Sequence, residues 1–179
     1  WLQELVRLAT SERGERPELM VEVLGILALL DTSEVPWCEL CRSGLLGVLQ
    51  KLLTMGFPED DVMLEAVMVV GVLALDEATA PLLLDSKIPA ALPSLLSERA
   101  EDTDLMLQVL FALRCLLLRE DFHEVLLHKA EAPERILEML RVDEDQPELP
   151  AMAVRVAAEE TLNLIVAVDH GGANWLGRI

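Results

Sequence analysis

Hydrophobic and polar residues follow one another along this chain in a pattern that recurs after 43 positions. Residues 61–75 (DVMLEAVMVVGVLAL) and residues 104–118 (DLMLQVLFALRCLLL) agree in hydrophobic character at nearly every position. The same shift in the other direction places residues 19–30 (LMVEVLGILALL) on residues 62–73, and residues 151–166 fit as a more divergent fourth copy. These apolar runs have the length and periodicity of helices, so the pattern indicates an internal helical repeat.

The helices that precede these copies repeat as well. Residues 44–53 (GLLGVLQKLL), 87–96 (KIPAALPSLL) and 132–140 (APERILEML) stand at closely similar intervals. A helical repeat of about 40 to 47 residues is typical of armadillo and HEAT solenoids. One repeat of this kind cannot bury its apolar face alone, so repeats stack and form a long surface for partners. The sequence therefore predicts an all-α fold, an armadillo-repeat α-solenoid with a right-handed superhelix of about four repeats.

Turn and cap residues divide the predicted array. Pro17 suits the first position of a helix, and Asp102 or Thr103 suits a helix cap. The predicted helices cover approximately residues 1–9, 17–31, 36–42, 44–54, 61–75, 76–85, 88–97, 103–119, 122–129, 133–142 and 148–168. We expect a single continuous array over residues 1–179, with approximate units 1–31, 32–75, 76–119 and 120–168, and the start of a C-terminal helix or tail at 169–179.

Two further features of the predicted array are the position of its first residue within a repeat and an acidic insertion. Trp1 falls within the second half of a repeat, so we expect the chain to be a fragment of a longer solenoid. The acidic stretch 143–150 (DEDQPELP) adds residues between two helices. Insertions in solenoids map to loops on one face. We favour a neutral insertion over an acidic docking feature.

Composition narrows the class of protein. Hydrophobic residues make up 53% of the chain while aromatic residues make up 3% and tyrosine is missing, which indicates helices packed by aliphatic side chains. The longest apolar runs reach about half the length of a membrane-spanning helix, so the sequence predicts a soluble chain. The net charge of −18 disfavours nucleic acid and anionic membranes as partners. The acidic surface either keeps an apolar solenoid in solution or includes a site for a basic partner, and both can hold.

The cysteine pattern allows two interpretations. Three cysteines without disulfide-framework spacing predict a reducing, cytosolic setting. Cys38 and Cys41 form a C-x-x-C pair, which in another context marks a thiol oxidoreductase or half of a zinc site. This pair lies in a helical repeat, with no second pair or paired histidines nearby. We therefore favour small apolar side chains on a short helix.

No other constellation indicates catalysis. His123 and His128 lie on different sides of one predicted helix, and His170 is distant in the repeat scheme. The sequence has no glycine-rich phosphate loop, no nucleophile elbow and no H-E-x-x-H motif. We predict that the chain is not an enzyme and that it has no cofactor and no metal.

An armadillo repeat has three helices, and the third lines the concave groove of the array. The residues of this third helix therefore decide which partner the predicted groove accepts. In armadillo proteins that bind extended basic peptides, this helix carries a tryptophan and, four residues later, an asparagine. The tryptophan positions here hold Gly25, Met68, Phe111 and Glu160, and the asparagine positions hold Leu29, Val72, Cys115 and Leu164. Asn163 lies one residue before the asparagine position that Leu164 occupies. A receptor of the nuclear-import type is therefore disfavoured.

Apolar residues at these positions suit either packing between neighbouring helices or an amphipathic helix laid in the groove. Arg114 and Arg155 are charges inside apolar helices. Such a charge must reach water or a carboxylate, so each arginine either anchors an acidic ligand or bridges to a neighbouring acidic residue. The candidate protein-binding residues are Met68, Val72, Phe111, Arg114, Cys115, Glu160 and Leu164.

Four segments together resemble a known family. They are residues 19–37 (LMVEVLGILALLDTSEVPW), 60–96 (DDVMLEAVMVVGVLALDEATAPLLLDSKIPAALPSLL), 130–140 (AEAPERILEML) and 175–179 (WLGRI). Their sequences and their order resemble the C-terminal armadillo region of the kinesin-associated proteins, the non-motor subunits of heterotrimeric kinesin. The likeness extends over essentially the whole chain.

The resemblance implies a non-enzymatic adaptor or scaffold. Its partners would be the tail region of a heterodimeric kinesin motor and cargo or adaptor proteins, with no need for a homo-oligomer. It would act in the cytoplasm, on the cytoskeleton, in intraflagellar transport within a cilium or flagellum. The alternative, which needs no resemblance, is a generic armadillo-repeat regulator that binds a helical or basic peptide in its groove.

Overall fold

Helices account for all the regular secondary structure in the part of the chain that the structure describes. The structure is a computed structural model, and it describes residues 1–11, 16–30, 35–141 and 152–169. The helices are α1 Leu2–Thr10, α2 Pro17–Ala28, α3 Trp37–Leu40, α4 Leu46–Met55, α5 Asp60–Leu75, α6 Ala80–Leu84, α7 Ile88–Glu98, α8 Thr103–Leu117, α9 Ala132–Leu140 and α10 Met152–Val168. No strand occurs among these residues. The predicted all-α, solenoid class of fold is confirmed.

The chain forms two compact units, Trp1–Ile88 and Pro89–Ile179. The division into four repeats and the single continuous array stay predictions.

In the first unit, α5 is the central helix. It packs against α2, α4 and α6. Buried residues lie on almost every side of it: Val62, Met63, Ala66, Val67, Val69, Val70, Gly71, Leu73 and Ala74. A helix that is apolar all round requires cover from several neighbours.

In the second unit, α8 has the corresponding place. It packs against α10, which in turn packs against α9. Its buried residues are Leu105, Met106, Val109, Leu110, Ala112, Leu113, Cys115, Leu116 and Leu117. The helix begins where the sequence predicts, because the Asp102 carboxylate accepts a hydrogen bond of 2.9 Å from the Leu105 backbone N–H.

Helix starts agree well with the sequence, and several other boundaries differ. Pro17 is the first residue of α2, as predicted. The helix predicted over residues 76–85 is too long, since α6 covers only Ala80–Leu84. The reason is a turn at Thr79, whose buried hydroxyl donates to the carbonyls of Leu73 and Asp76 while its N–H donates to the Asp76 carboxylate. These bonds satisfy the end of α5 and stop the helix from continuing.

Two other helices in the structure differ from the predicted ones in type or length. The helix predicted over residues 122–129 is a 3₁₀ turn, Glu120–Phe122, followed by a π-helical turn, Glu124–Lys129. Helix α2 ends at Ala28 rather than near residue 31. The predicted start of the last helix at 148, the loop 143–150, His170 and the tail after 169 lie outside the described residues.

A sharp bend separates α3 from α4. A π-helical turn, Cys41–Leu45, joins them, and Gly44 within it has φ 126° and ψ −10°. This backbone conformation strongly favours glycine. A Cβ atom at Gly44 would also lie 2.8 Å from Cγ2 of Thr10 on α1. The bend therefore allows α1 to pack against this turn.

Replacing this glycine tests the bend. We predict that Gly44→Ala lowers the free energy of unfolding by about 1–3 kcal/mol, because it adds backbone strain and a clash with Thr10. Gly47→Ala is the matched control, since Gly47 lies in α4 and a Cβ there meets no atom within 4 Å. The control should be neutral or stabilising by up to about 1 kcal/mol. Urea denaturation measures both, and equal stabilities for the two variants would contradict this account of the bend.

Candidate functional site

The predicted binding residues lie on three helices. Met68 and Val72 are half-buried on α5 of the first unit. In the second unit, Phe111 and Arg114 lie on α8 and are partly open to solvent, as are Glu160 and Leu164 on α10. Cys115 is only 5% exposed. Its side chain belongs to the packed interior of α8, and its part in binding stays a prediction.

In the first unit, Met68 and Val72 share one face of α5 with a residue that the sequence reasoning missed. Glu65 lies three and seven positions before them, spacings that place side chains along one side of a helix. A Cβ atom at Gly25 on α2 would lie 3.4 Å from both Cδ and Oε2 of Glu65. The glycine at this predicted tryptophan position therefore leaves room for a carboxylate. We call Gly25, Glu65, Met68 and Val72 the α5 surface.

The Glu65 carboxylate has an unusual environment. Its Oε2 atom is buried and accepts no hydrogen bond from the described residues. Burial, together with the nearby negative charge of Asp61, raises the pKa of Glu65. A buried carboxylate oxygen that accepts no hydrogen bond lowers stability. The sequence identifies Arg114 because it is a charged residue inside an apolar helix. Glu65 meets the same criterion.

In the second unit, two predicted residues meet. Arg114 Nη1 on α8 donates a hydrogen bond to Glu160 Oε2 on α10, which makes an ion pair between helices that pack together. The side chains are 31% and 58% exposed, so the pair contributes at most about 1 kcal/mol to stability. The interpretation of Arg114 as a bridge to a neighbouring carboxylate is confirmed. The pair fixes two opposite charges at defined positions.

An aromatic side chain accompanies this ion pair. Phe111 lies one turn before Arg114 on α8 and is 41% exposed. An exposed phenylalanine beside a fixed ion pair combines a large apolar contact with oriented polar groups, the combination found at the centres of protein interfaces. We call Phe111, Arg114, Glu160 and Leu164 the α8–α10 surface.

Within the C-x-x-C pair, Cys41 does not have the properties of a reactive thiol. All three cysteines are free, and Cys41 is 4% exposed. Burial, with smaller contributions from Cys38 and Asp76, raises the pKa of Cys41 to about 12. A reactive cysteine requires the opposite shift, because only the thiolate attacks. The interpretation of Cys41 as a packed side chain therefore agrees with its environment.

The described residues contain no group of three or more histidine, cysteine, aspartate or glutamate side chains that could hold a metal ion. His123 has a structural contact instead, since its Nε2 lies 2.9 Å from the Leu117 carbonyl oxygen. Within the same part of the chain, no helix is both long and apolar enough to cross a membrane.

A family model matches this chain over its whole length. The model of the family described as "Kinesin-associated protein (KAP)" matches residues 1–179, the whole chain. The match covers all four segments on which the sequence resemblance rests, and it confirms that resemblance.

Neutralising Glu65 tests its environment. We predict that Glu65→Gln raises the free energy of unfolding by about 0.5 kcal/mol at pH 7, since it removes a partly buried charge for which the described part of the chain offers no partner. The pKa of Glu65 is raised in the folded chain, so the wild type loses stability relative to the variant as pH rises through that pKa. The difference should therefore shrink as pH falls below the usual glutamate pKa of about 4.3. Urea denaturation at pH 7 and pH 4 measures it. A variant less stable than wild type at pH 7 would contradict the absence of a partner.

Proposed function

The chain belongs to the kinesin-associated protein family and is a kinesin-associated adaptor, and from this premise we propose that it binds the tail region of a heterodimeric kinesin motor. We further propose that it links this motor to cargo or adaptor proteins in intraflagellar transport, in a cilium or flagellum. The family match over the whole chain is the observation that carries this proposal. The armadillo-like architecture of the family supports it, because such arrays present extended surfaces to partners.

Each compact unit offers its own partner surface. The α5 surface is apolar at Met68 and Val72 and acidic at Glu65. The α8–α10 surface combines Phe111 with the Arg114–Glu160 ion pair. An amphipathic helix from a motor tail could place apolar side chains on either surface and direct its polar groups to these charges.

Phe111 provides the sharpest test of the motor-binding proposal. We predict that Phe111→Ala weakens binding of the purified motor-tail heterodimer about 5- to 30-fold, the effect of losing an aromatic residue at the centre of an interface. Leu84→Ala is the control, because Leu84 is a similarly exposed apolar residue (38%) on α6 and belongs to neither surface. Isothermal titration calorimetry measures the affinities, and circular dichroism checks that both variants are folded.

The outcomes of this experiment separate two claims. If the wild-type chain does not bind the tails, the motor-binding proposal fails. If the wild type binds and Phe111→Ala binds equally well, the tail lies elsewhere, and the α8–α10 surface is not the interface.

The second candidate function is a regulator that binds a basic peptide, and Glu65 is the observation that favours it. A carboxylate with no partner among the described residues, on an apolar helix face in a chain of net charge −18, would accept a lysine or arginine.

The salt dependence of binding distinguishes this candidate. We predict that a basic peptide held by Glu65 loses affinity about tenfold between 50 and 300 mM salt, because screening weakens its attraction to the acidic chain. Glu65→Gln should weaken it several-fold, whereas Glu77→Gln, a change of the same charge at an exposed residue, should not. Fluorescence anisotropy with a labelled lysine-rich peptide measures both effects. Binding that is insensitive to salt and to Glu65→Gln would exclude this function.

A further inference from the structure

We draw no further inference here: the strongest candidate, the exposed apolar face of α10 formed by Met152, Val156 and Val166, lies on a helix flanked by residues 142–151 and 170–179, which are outside the described part of the chain, and nothing in the structure shows what covers it.

Discussion

The apolar surface on nearly every side of α5 and α8 is the constraint on which the rest of the structure depends. A helix with one apolar stripe can lie on the surface of a domain, but a helix that is apolar all round must be enclosed. In the first unit α2, α4 and α6 enclose α5, and in the second unit α10 contributes to the cover of α8. The shorter helices and the bends at Gly44 and Thr79 follow from this need, because they turn the chain so that successive helices can reach the central one.

The enclosure of α5 and α8 determines which side chains stay exposed and can contact partners. Side chains that escape enclosure lie at the edges of the central helices and on the helices that cover them. In the first unit they include Met68 and Val72, which share one face of α5 with Glu65. In the second they include Phe111 beside the Arg114–Glu160 pair. Apolar contact area with a few fixed charges provides both affinity and orientation, which is what an adaptor requires. The acidic net charge disfavours phosphate-bearing partners and leaves proteins as the natural ones.

The sequence predicts the fold well because the fold rests on a pattern that sequence displays directly. The 43-residue recurrence locates α5 and α8, and Pro17 and Asp102 mark helix starts through local chemistry. Local hydrogen bonds override the pattern elsewhere. The Thr79 turn shortens α6, and the helical stretch before residue 130 adopts 3₁₀ and π turns, which hydrophobic periodicity alone cannot distinguish from an α-helix.

The candidate site is less predictable for a physical reason. Whether a residue of an all-apolar helix lies inside or at the edge depends on where neighbouring helices pass, so Cys115 is buried while Phe111, four positions earlier, is exposed.

Hydrogen–deuterium exchange of the free chain, followed by mass spectrometry, measures how well α5 and α8 are enclosed. Amides deep in a packed region exchange only when that region opens. We expect the slowest exchange in α5 and α8, with faster exchange in α1 and α9, which bury only one side. Exchange in α5 and α8 as fast as in α1 and α9 would contradict it, because the two central helices would then not be enclosed.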